Sequence, residues 1–445
     1  MGAFKAYDIR GIYNTDFNKD TVYKIGYFLP KLLKSKVVLV GRDVRTSSEE
    51  IFEYLCKGIT DSGSDVYDIG LATTPMVYFS TVHFSVDASV QITASHNPAK
   101  YNGLKISRTK AVPVGSDSGL KELEQMVLTQ PIEVAATKGR ILSKDAKTPY
   151  LAFLEQFVPD TSNLNISIDC SHGMANLLVK DLLGTHHHYL YDHFDGTFPA
   201  HEPNPLEVEN TKDLEKAVLQ NKSDIGVIYD GDADRVMFLD ENGRFLQPDY
   251  ITAVLGYYYL KKEQGNVLVD IRTSRSTTEY LTKLGANVYI WKVGHAFAKT
   301  KLRDLGAIFG GELAGHYYFR DFFNCDSGFL ASLIVLQVVS ELKKQGVSIS
   351  SFIDSIIAYA NSGEINFKLE NKDSAMAALY ERFVENDKPS KVMDFDGYRI
   401  EFSSWWFNVR KSNTEPYLRL VVEAKNAAEL QERTKALSSI IKQFN

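Results

Sequence analysis

The chain has 445 residues, 44% hydrophobic and 24% charged, with a formal net charge of −6. That composition predicts a globular protein of three or four domains of about 100–150 residues each, and without a long basic block it offers nucleic acid no electrostatic footprint. No apolar run approaches the ~20 residues that cross a bilayer, the start "MGAFKAYDIRG" has no signal-peptide core, and Cys56, Cys170 and Cys325 are too far apart for a disulfide frame or a Cys-type zinc site. A cytoplasmic protein with reduced thiols is expected, with no membrane and no nucleic acid among its partners.

In chain order, the first strong strand is "KVVLVGRD", ending at Asp43. A helix "SSEEIFEYLCKGITDSG" follows, with Ser47 or Ser48 as its cap, acidic residues in its first turn and Gly63 at its end. The strand "SDVYDIG" comes next, and then "VQITASHNP", an apolar strand that runs straight into Ser95 and His96. Taken alone, Ser-His-Asn-Pro would serve as a strand exit and nothing more.

The same order recurs twice. "NISIDCSHG", "HYLYDHFDG" and "DIGVIYDGDADR" form a second set, and "NVLVDIRTSR", "ANVYIWKVG" and "GAIFGGELAGH" a third. Apolar strands alternating with helices predict α/β units with mainly parallel sheets covered on both faces. Loops beyond the carboxyl ends of such strands build binding sites. The three third-strand loops carry a serine, a carboxylate cluster, and a glutamate with a histidine, and convergent packing would line one cleft with all of them. The histidine triplet at 186–188 reads as loop or strand edge rather than a metal tract.

From about Glu364 the pattern changes. "INFKLENKD", a helix, "KVMDFDGYRIEF" with a hairpin turn at Asp396-Gly397, "SSWWFNVRKSNTEPYLRLVVEA" and a last helix predict a smaller α+β domain. Its polar loop carries Arg410, Ser412, Asn413 and Thr414, donors of the kind that grip phosphate.

In "DGDADR", Asp230, Asp232 and Asp234 alternate directly after an apolar strand. Carboxylates this close repel unless a positive group sits among them, and a hard divalent cation with oxygen ligands suits them. An EF-hand loop fails because its sixth position needs glycine and here is Arg235; a solvated acidic turn is the remaining alternative. Arg235 can neutralise the cluster or hold a phosphate.

Taken together, "TASHNP", "DGDADR", "GGELAGH" and "RKSNTEP", with "KAYDIRG", "VGRDVRTSS", "NGLKI", "HEPNPLEVEN" and "KVGHAF", resemble the α-D-phosphohexomutase family, in its bacterial phosphomannomutase/phosphoglucomutase branch. The resemblance spans the chain. It implies four domains around a central cleft in a heart-shaped monomer: 1–142 with the phosphoserine loop, 143–243 binding metal, 244–361 binding sugar and 362–445 binding phosphate. It implies an isomerase-class enzyme that interconverts hexose 6-phosphate and hexose 1-phosphate, of mannose, glucose or both, through phosphoserine and a hexose 1,6-bisphosphate. Glucose or mannose 1,6-bisphosphate would be both intermediate and activator. Ser95 would carry the phosphoryl group and, with Asp230, Asp232 and Asp234, hold Mg²⁺. Glu312 would bind sugar hydroxyls, and Arg410, Ser412, Asn413 and Thr414 the phosphate that is not reacting. Arg10 and Arg235 would offset developing charge. Lys105, if its pKa is lowered, and His316 are the candidates for proton transfer, and a phosphate-positioning charge is the alternative role for each. His96 would shape the loop or contact phosphate, and Tyr7 and His295 would line the cleft. One position departs from the family pattern: Ala314 stands where the sugar loop usually has serine, which removes one hydroxyl contact. A phosphoglucosamine mutase, a metal-dependent sugar phosphatase and a non-catalytic sugar-phosphate-binding protein are the competing readings.

Overall fold

A computed structural model describes residues 2–412 and 416–444. The first sheet contains β1 (Ile9–Ile12), β2 (Val37–Arg42), β3 (Asp65–Leu71), β4 (Ala88–Ile92), β5 (Tyr101–Arg108), β6 (Val112–Pro113) and β7 (Ile141–Ser143). The second has β8 (Ile166–Asp169), β9 (His188–Leu190), β10 (Ile225–Tyr229), β11 (Val236–Asp240) and β12 (Phe245–Leu246). The third has β13 (Asn266–Asp270), β14 (Asn287–Trp291), β15 (Phe309–Gly311), β16 (Tyr317–Phe319) and β17 (Cys325–Asp326). The fourth has β18 (Ala360–Lys368), β19 (Lys391–Met393), β20 (Tyr398–Glu401), β21 (Trp405–Lys411) and β22 (Tyr417–Ala424).

The three sequence repeats are one wiring diagram. In each of the first three sheets the leading strand lies parallel between its two successors: β3–β2–β4, β9–β8–β10 and β14–β13–β15. The chain then turns back antiparallel, β4 to β5, β10 to β11 and β15 to β16. Each sheet is therefore mixed, with a parallel centre and antiparallel strands added beyond it. The reversal after the third strand is the segment that carries Ser95, the three aspartates or Glu312. The fourth sheet is antiparallel throughout, in the order β18-β22-β21-β20-β19, and Gly397 takes the left-handed φ of +65° that closes its β19–β20 hairpin.

Burial explains why the first three units hold together. One continuous apolar cluster runs from Leu39, Met76 and Tyr150 through Ile166 and Phe238 to Phe309 and the helix Gly328–Lys344. Each fully buried Leu, Ile or Phe contributes about 1.5–3 kcal/mol. The fourth unit has its own core, built from Phe367, Phe383, Phe407, Leu420 and Leu437. It meets the third unit largely through polar groups. Arg399 donates to the carbonyls of Ile271 (2.9 Å) and Thr273 (2.7 Å), and the Arg275 N–H donates to buried Glu423 (2.8 Å).

The helix cap comes out differently from the sequence reading. In the helix Ser48–Asp61 neither serine caps: Ser47 is already helical and makes no side-chain cap bond. Ser48 Oγ donates instead to Asp43 Oδ1 (2.6 Å), and Asn102 Nδ2 donates to it in turn (3.0 Å). A buried carboxylate competes for the hydroxyl more strongly than an amide does. Gly63 ends this stretch as expected, with φ +95°. The histidine triplet lies at the start of edge strand β9, beside an open hollow of about 540 Å³.

Candidate active site

Strand β4 is buried along its whole length and leaves the sheet at Thr93. Ser95 then adopts φ +50°, a left-handed conformation that costs an L-residue energy unless its surroundings impose it. Three contacts hold it. Its N–H donates to Thr93 Oγ1 (2.9 Å), its carbonyl accepts from Arg45 Nη2 (2.7 Å), and its hydroxyl donates to Asp230 Oδ2 (2.7 Å). His96 Nδ1 lies 3.4 Å from Ser95 Oγ. Burial, and after it Arg235, Arg10 and Lys105, push the His96 imidazole well below its ordinary pKa.

The reversal between β10 and β11 brings Asp230, Asp232 and Asp234 together, all three buried, with one oxygen of each within 4.8 Å of the others. Lys105, on β5 of the first sheet, reaches across to Asp232 Oδ2 (2.7 Å) and Asp234 Oδ2 (2.5 Å). Thr74 Oγ1 donates to Asp232 Oδ2 at 2.5 Å. Burial and the two neighbouring carboxylates hold Asp230 well above the usual carboxylate range. Asp232 Oδ1 and Asp234 Oδ1 are buried without a hydrogen-bond partner among the described residues. An all-oxygen donor set with two such oxygens, and Ser95 Oγ beside it, fits a hard divalent cation. Arg235 lies at the rim, its Nε 4.0 Å from Asp230 Oδ2 and its own N–H on Asp230 Oδ1 (3.2 Å).

Burial works against the charge of Lys105, but Asp232 and Asp234 outweigh that and raise its pKa above the ordinary lysine value. Its ammonium stands as a positive charge within the carboxylate cluster.

Arg10, on β1, donates to Asn97 Oδ1 (2.9 Å) and pairs with Asp8. Tyr7 packs edge-on against His295 and Phe297. It also fills the space where a Cβ on Gly294 would stand, 2.8 Å from its ring, so that φ +132° position needs glycine.

Glu312 sits in the β15–β16 reversal, 3% exposed. Its Oε1 accepts from the Gly294 N–H (2.6 Å) and its Oε2 from Tyr318 Oη (2.8 Å), and burial raises its pKa. Each oxygen has a second lone pair for a sugar hydroxyl. Ala314 lies in the same tight turn, closed by Gly315 N–H on the Glu312 carbonyl (2.9 Å). His295 opens the helix His295–Leu305, with burial and then Lys299 lowering its pKa well below normal. His316 joins the acidic loop through a β-bridge with Arg235. Its Nδ1 lies 2.6 Å from Asp326 Oδ2, and Asp326 in turn pairs with Lys299 at 2.7 Å, both fully buried. Sequence reasoning missed Asp326 and Lys299: "NCDSGF" looks like a helix start, and only the fold brings it under His316. Arg45, Thr74 and Asp396 were missed for the same reason.

Arg410, on β21, is 2% exposed. Its Nε donates to Asp396 Oδ1 (3.3 Å), whose other oxygen accepts the Val293 N–H (2.7 Å), while Nη2 is buried without a partner among the described residues. Arg410 is thus wired to the segment that holds His295 and, through Gly294, Glu312. The Ser412 N–H donates to the Tyr417 carbonyl (2.9 Å); Asn413 and Thr414 lie outside the described residues. Tyr7, Arg10, Ser95, His96, Lys105, the three aspartates, Arg235, His295, Glu312, His316 and Arg410 belong to one connected set of contacts drawn from four sheets.

Comparison with known proteins gives matches along the whole chain. Residues 1–131, 148–243 and 247–359 match the phosphoglucomutase/phosphomannomutase alpha/beta/alpha domains I, II and III, and residues 364–438 match the C-terminal domain of the same family. A phosphomannomutase of Vibrio cholerae is 36% identical over 100% of this chain and 99% of its own length. One from Methanocaldococcus jannaschii is 34% identical over 98% and 97%. Among solved structures, a phosphoglucomutase/phosphomannomutase family protein of Burkholderia thailandensis superposes with a TM-score of 0.90 at 27% identity, covering 99% of this chain and 97% of that one.

Proposed function

The chain belongs to the phosphoglucomutase/phosphomannomutase family, whose members are phosphate-transferring mutases, and from that premise we propose that it interconverts hexose 6-phosphate and hexose 1-phosphate through phosphorylated Ser95 and a hexose 1,6-bisphosphate. The observation that carries this reading is the Ser95 hydroxyl, 2.7 Å from Asp230 in a buried cluster of three carboxylates. Asp230, Asp232 and Asp234 would hold Mg²⁺ together with an oxygen on Ser95, and the ion would draw charge from the transferring phosphoryl group.

In the first half-reaction a sugar hydroxyl attacks phosphorus on Ser95. The P–Oγ bond breaks as the new P–O bond forms, and the hydroxyl proton passes to a base. His316 is that base: Asp326 occupies its Nδ1 side, leaving Nε2 to receive the proton. Lys105 and Arg235 orient the phosphoryl oxygens. In the second half-reaction the bisphosphate, turned round, gives its other phosphoryl group to Ser95 Oγ, and the proton returns to the sugar oxygen. Arg410 holds the distal phosphate in both orientations, and Glu312 reads hydroxyls common to both.

Mannose and glucose phosphates are the proposed substrates, with support from relatives named phosphomannomutase at 34–37% identity. N-acetylglucosamine-phosphate mutases at 14% identity share only the fold. The proposed setting is a cytoplasmic monomer; among the described residues no helix is long and apolar enough to cross a membrane. Parallel turnover assays with mannose, glucose and glucosamine 1-phosphates, together with labelling of Ser95 by glucose 1,6-bisphosphate, test the reading. Interconversion of the first two and label on Ser95 are expected. Hydrolysis to free sugar, or no label, overturns it.

A further inference from the structure

We infer that Arg45 is a positioning residue for phosphoryl transfer: its guanidinium fixes the backbone of the Ser95 loop and so aims Ser95 Oγ. The inference rests on Ser95 being the phosphoryl carrier.

The side chain of Arg45 is 0% exposed, and all of its polar contacts but one go to a single loop. Nη2 donates to the carbonyls of Ser95 (2.7 Å) and Asn97 (2.6 Å), and Nη1 to those of Pro98 (2.8 Å) and Tyr101 (3.1 Å). The remaining contact is Nε on Asp43 Oδ2 (3.2 Å), whose other oxygen accepts the Arg45 N–H (3.0 Å) and the Ser48 hydroxyl. Asp43 therefore orients the fork, and the fork holds four carbonyls across the reversal from β4 to β5. Buried carbonyls need donors, and a planar guanidinium can serve four at once where an ammonium cannot.

The consequence reaches the reacting atom because of φ +50° at Ser95. A serine returns to a more favourable backbone conformation once the contacts that impose this one are removed. Its Oγ would then leave Asp230 while the substrate-binding groups on the third and fourth sheets stayed where they are. The opposite side of the loop is equally confined. A Cβ on Gly231 would stand 2.6 Å from the same Ser95 carbonyl, so the acidic loop lies directly on it. The Phe198 ring of the second unit covers the guanidinium at 5.0 Å. Arg45 thus lies at the junction of the unit that carries the nucleophile and the unit that carries the carboxylates.

The test uses full-length Arg45→Lys and Asp43→Asn. Circular dichroism and thermal unfolding check the fold. Steady-state kinetics give KM and kcat, and rapid-quench labelling with glucose 1,6-bisphosphate gives the rate of Ser95 phosphorylation. For Arg45→Lys, kcat and the labelling rate should both fall about a hundredfold, as expected for a misplaced reacting group, with KM unchanged. Asp43→Asn keeps the shape but loosens the fork, and both rates should fall about tenfold, the loss of one hydrogen bond to a charged group. A folded Arg45→Lys enzyme that labels Ser95 at the wild-type rate, or loses only KM, overturns the inference. If Arg45→Lys does not fold, Asp43→Asn decides, and an unchanged kcat in that variant overturns it. Wild-type enzyme that takes no label at Ser95 would overturn the carrier reading itself.

Discussion

Replacing Arg410 with alanine separates binding from chemistry more cleanly than any change at the serine. Arg410 is 2% exposed and offers a buried Nη2 with no partner among the described residues, while its Nε is engaged by Asp396. A hydrogen bond to a charged group is worth about 1.5–3 kcal/mol, which is roughly ten- to a hundredfold in affinity. Because the same group should grip the idle phosphate in both orientations of the sugar, KM should rise by that factor for the 1-phosphate and the 6-phosphate alike. The bisphosphate should also escape more often, so added glucose 1,6-bisphosphate should restore part of the rate. Removing the arginine strands Asp396, which keeps the Val293 N–H, so assays belong well below the variant's unfolding temperature. Arg410→Lys keeps the charge without the fork and should fall between the two. The measurement is initial rates in both directions, with release of bisphosphate followed by a coupled assay. Loss of affinity for only one monophosphate, with no added leakage, would refute a shared distal site.

Ser95→Ala should abolish turnover and labelling by the bisphosphate while leaving the thermal midpoint near wild type; near-normal activity would exclude it as carrier. Asp232→Asn should weaken Mg²⁺ binding, read by titration calorimetry, and chelation should stop wild-type turnover until Mg²⁺ is restored. Asp249 gives a test of stability against pH. Burial, with Glu423 and Asp270 nearby, raises its pKa from 3.8 to about 7 despite the Ser274 N–H. The folded state therefore binds this proton more tightly than the unfolded chain, and its contribution is fully present below about pH 4 and lost as pH rises to about 7, a difference of about 4 kcal/mol at most. Asp249→Asn should match wild type near pH 4.5 and be the more stable protein at pH 8; parallel urea curves at both values would sink the assignment.

Much of the fold could be read directly from sequence, because strands buried on both faces are written as unbroken β-branched runs. "KVVLVG", "GVIYDG" and "NVLVD" say where the sheets are, and the polar loops after the third strands say where chemistry belongs. The carboxylate trio could be read because its members are neighbours in sequence. The partners of Lys105 could not: its sequence gives a charge in a strand, and only the docking of the first sheet on the second places that ammonium between Asp232 and Asp234 and raises its pKa. Asp326 and Lys299 stand far from each other's partners in sequence and meet His316 only through the third sheet and the helix after Gly294. Ser48 shows the opposite failure, where a local rule lost to a buried carboxylate.

The fourth unit keeps its own core and meets the third through Arg399, Arg275 and Glu423. During synthesis, then, the shared core of the first three units is complete in the chain before the fourth unit emerges, yet the contact set around Ser95 lacks Arg410 and Asp396 until β20 and β21 have emerged. A chain stopped there should hold a core without a complete site. The same order runs backwards under denaturant: the polar seam should part before the shared apolar core melts, so catalysis should vanish while most of the secondary structure persists.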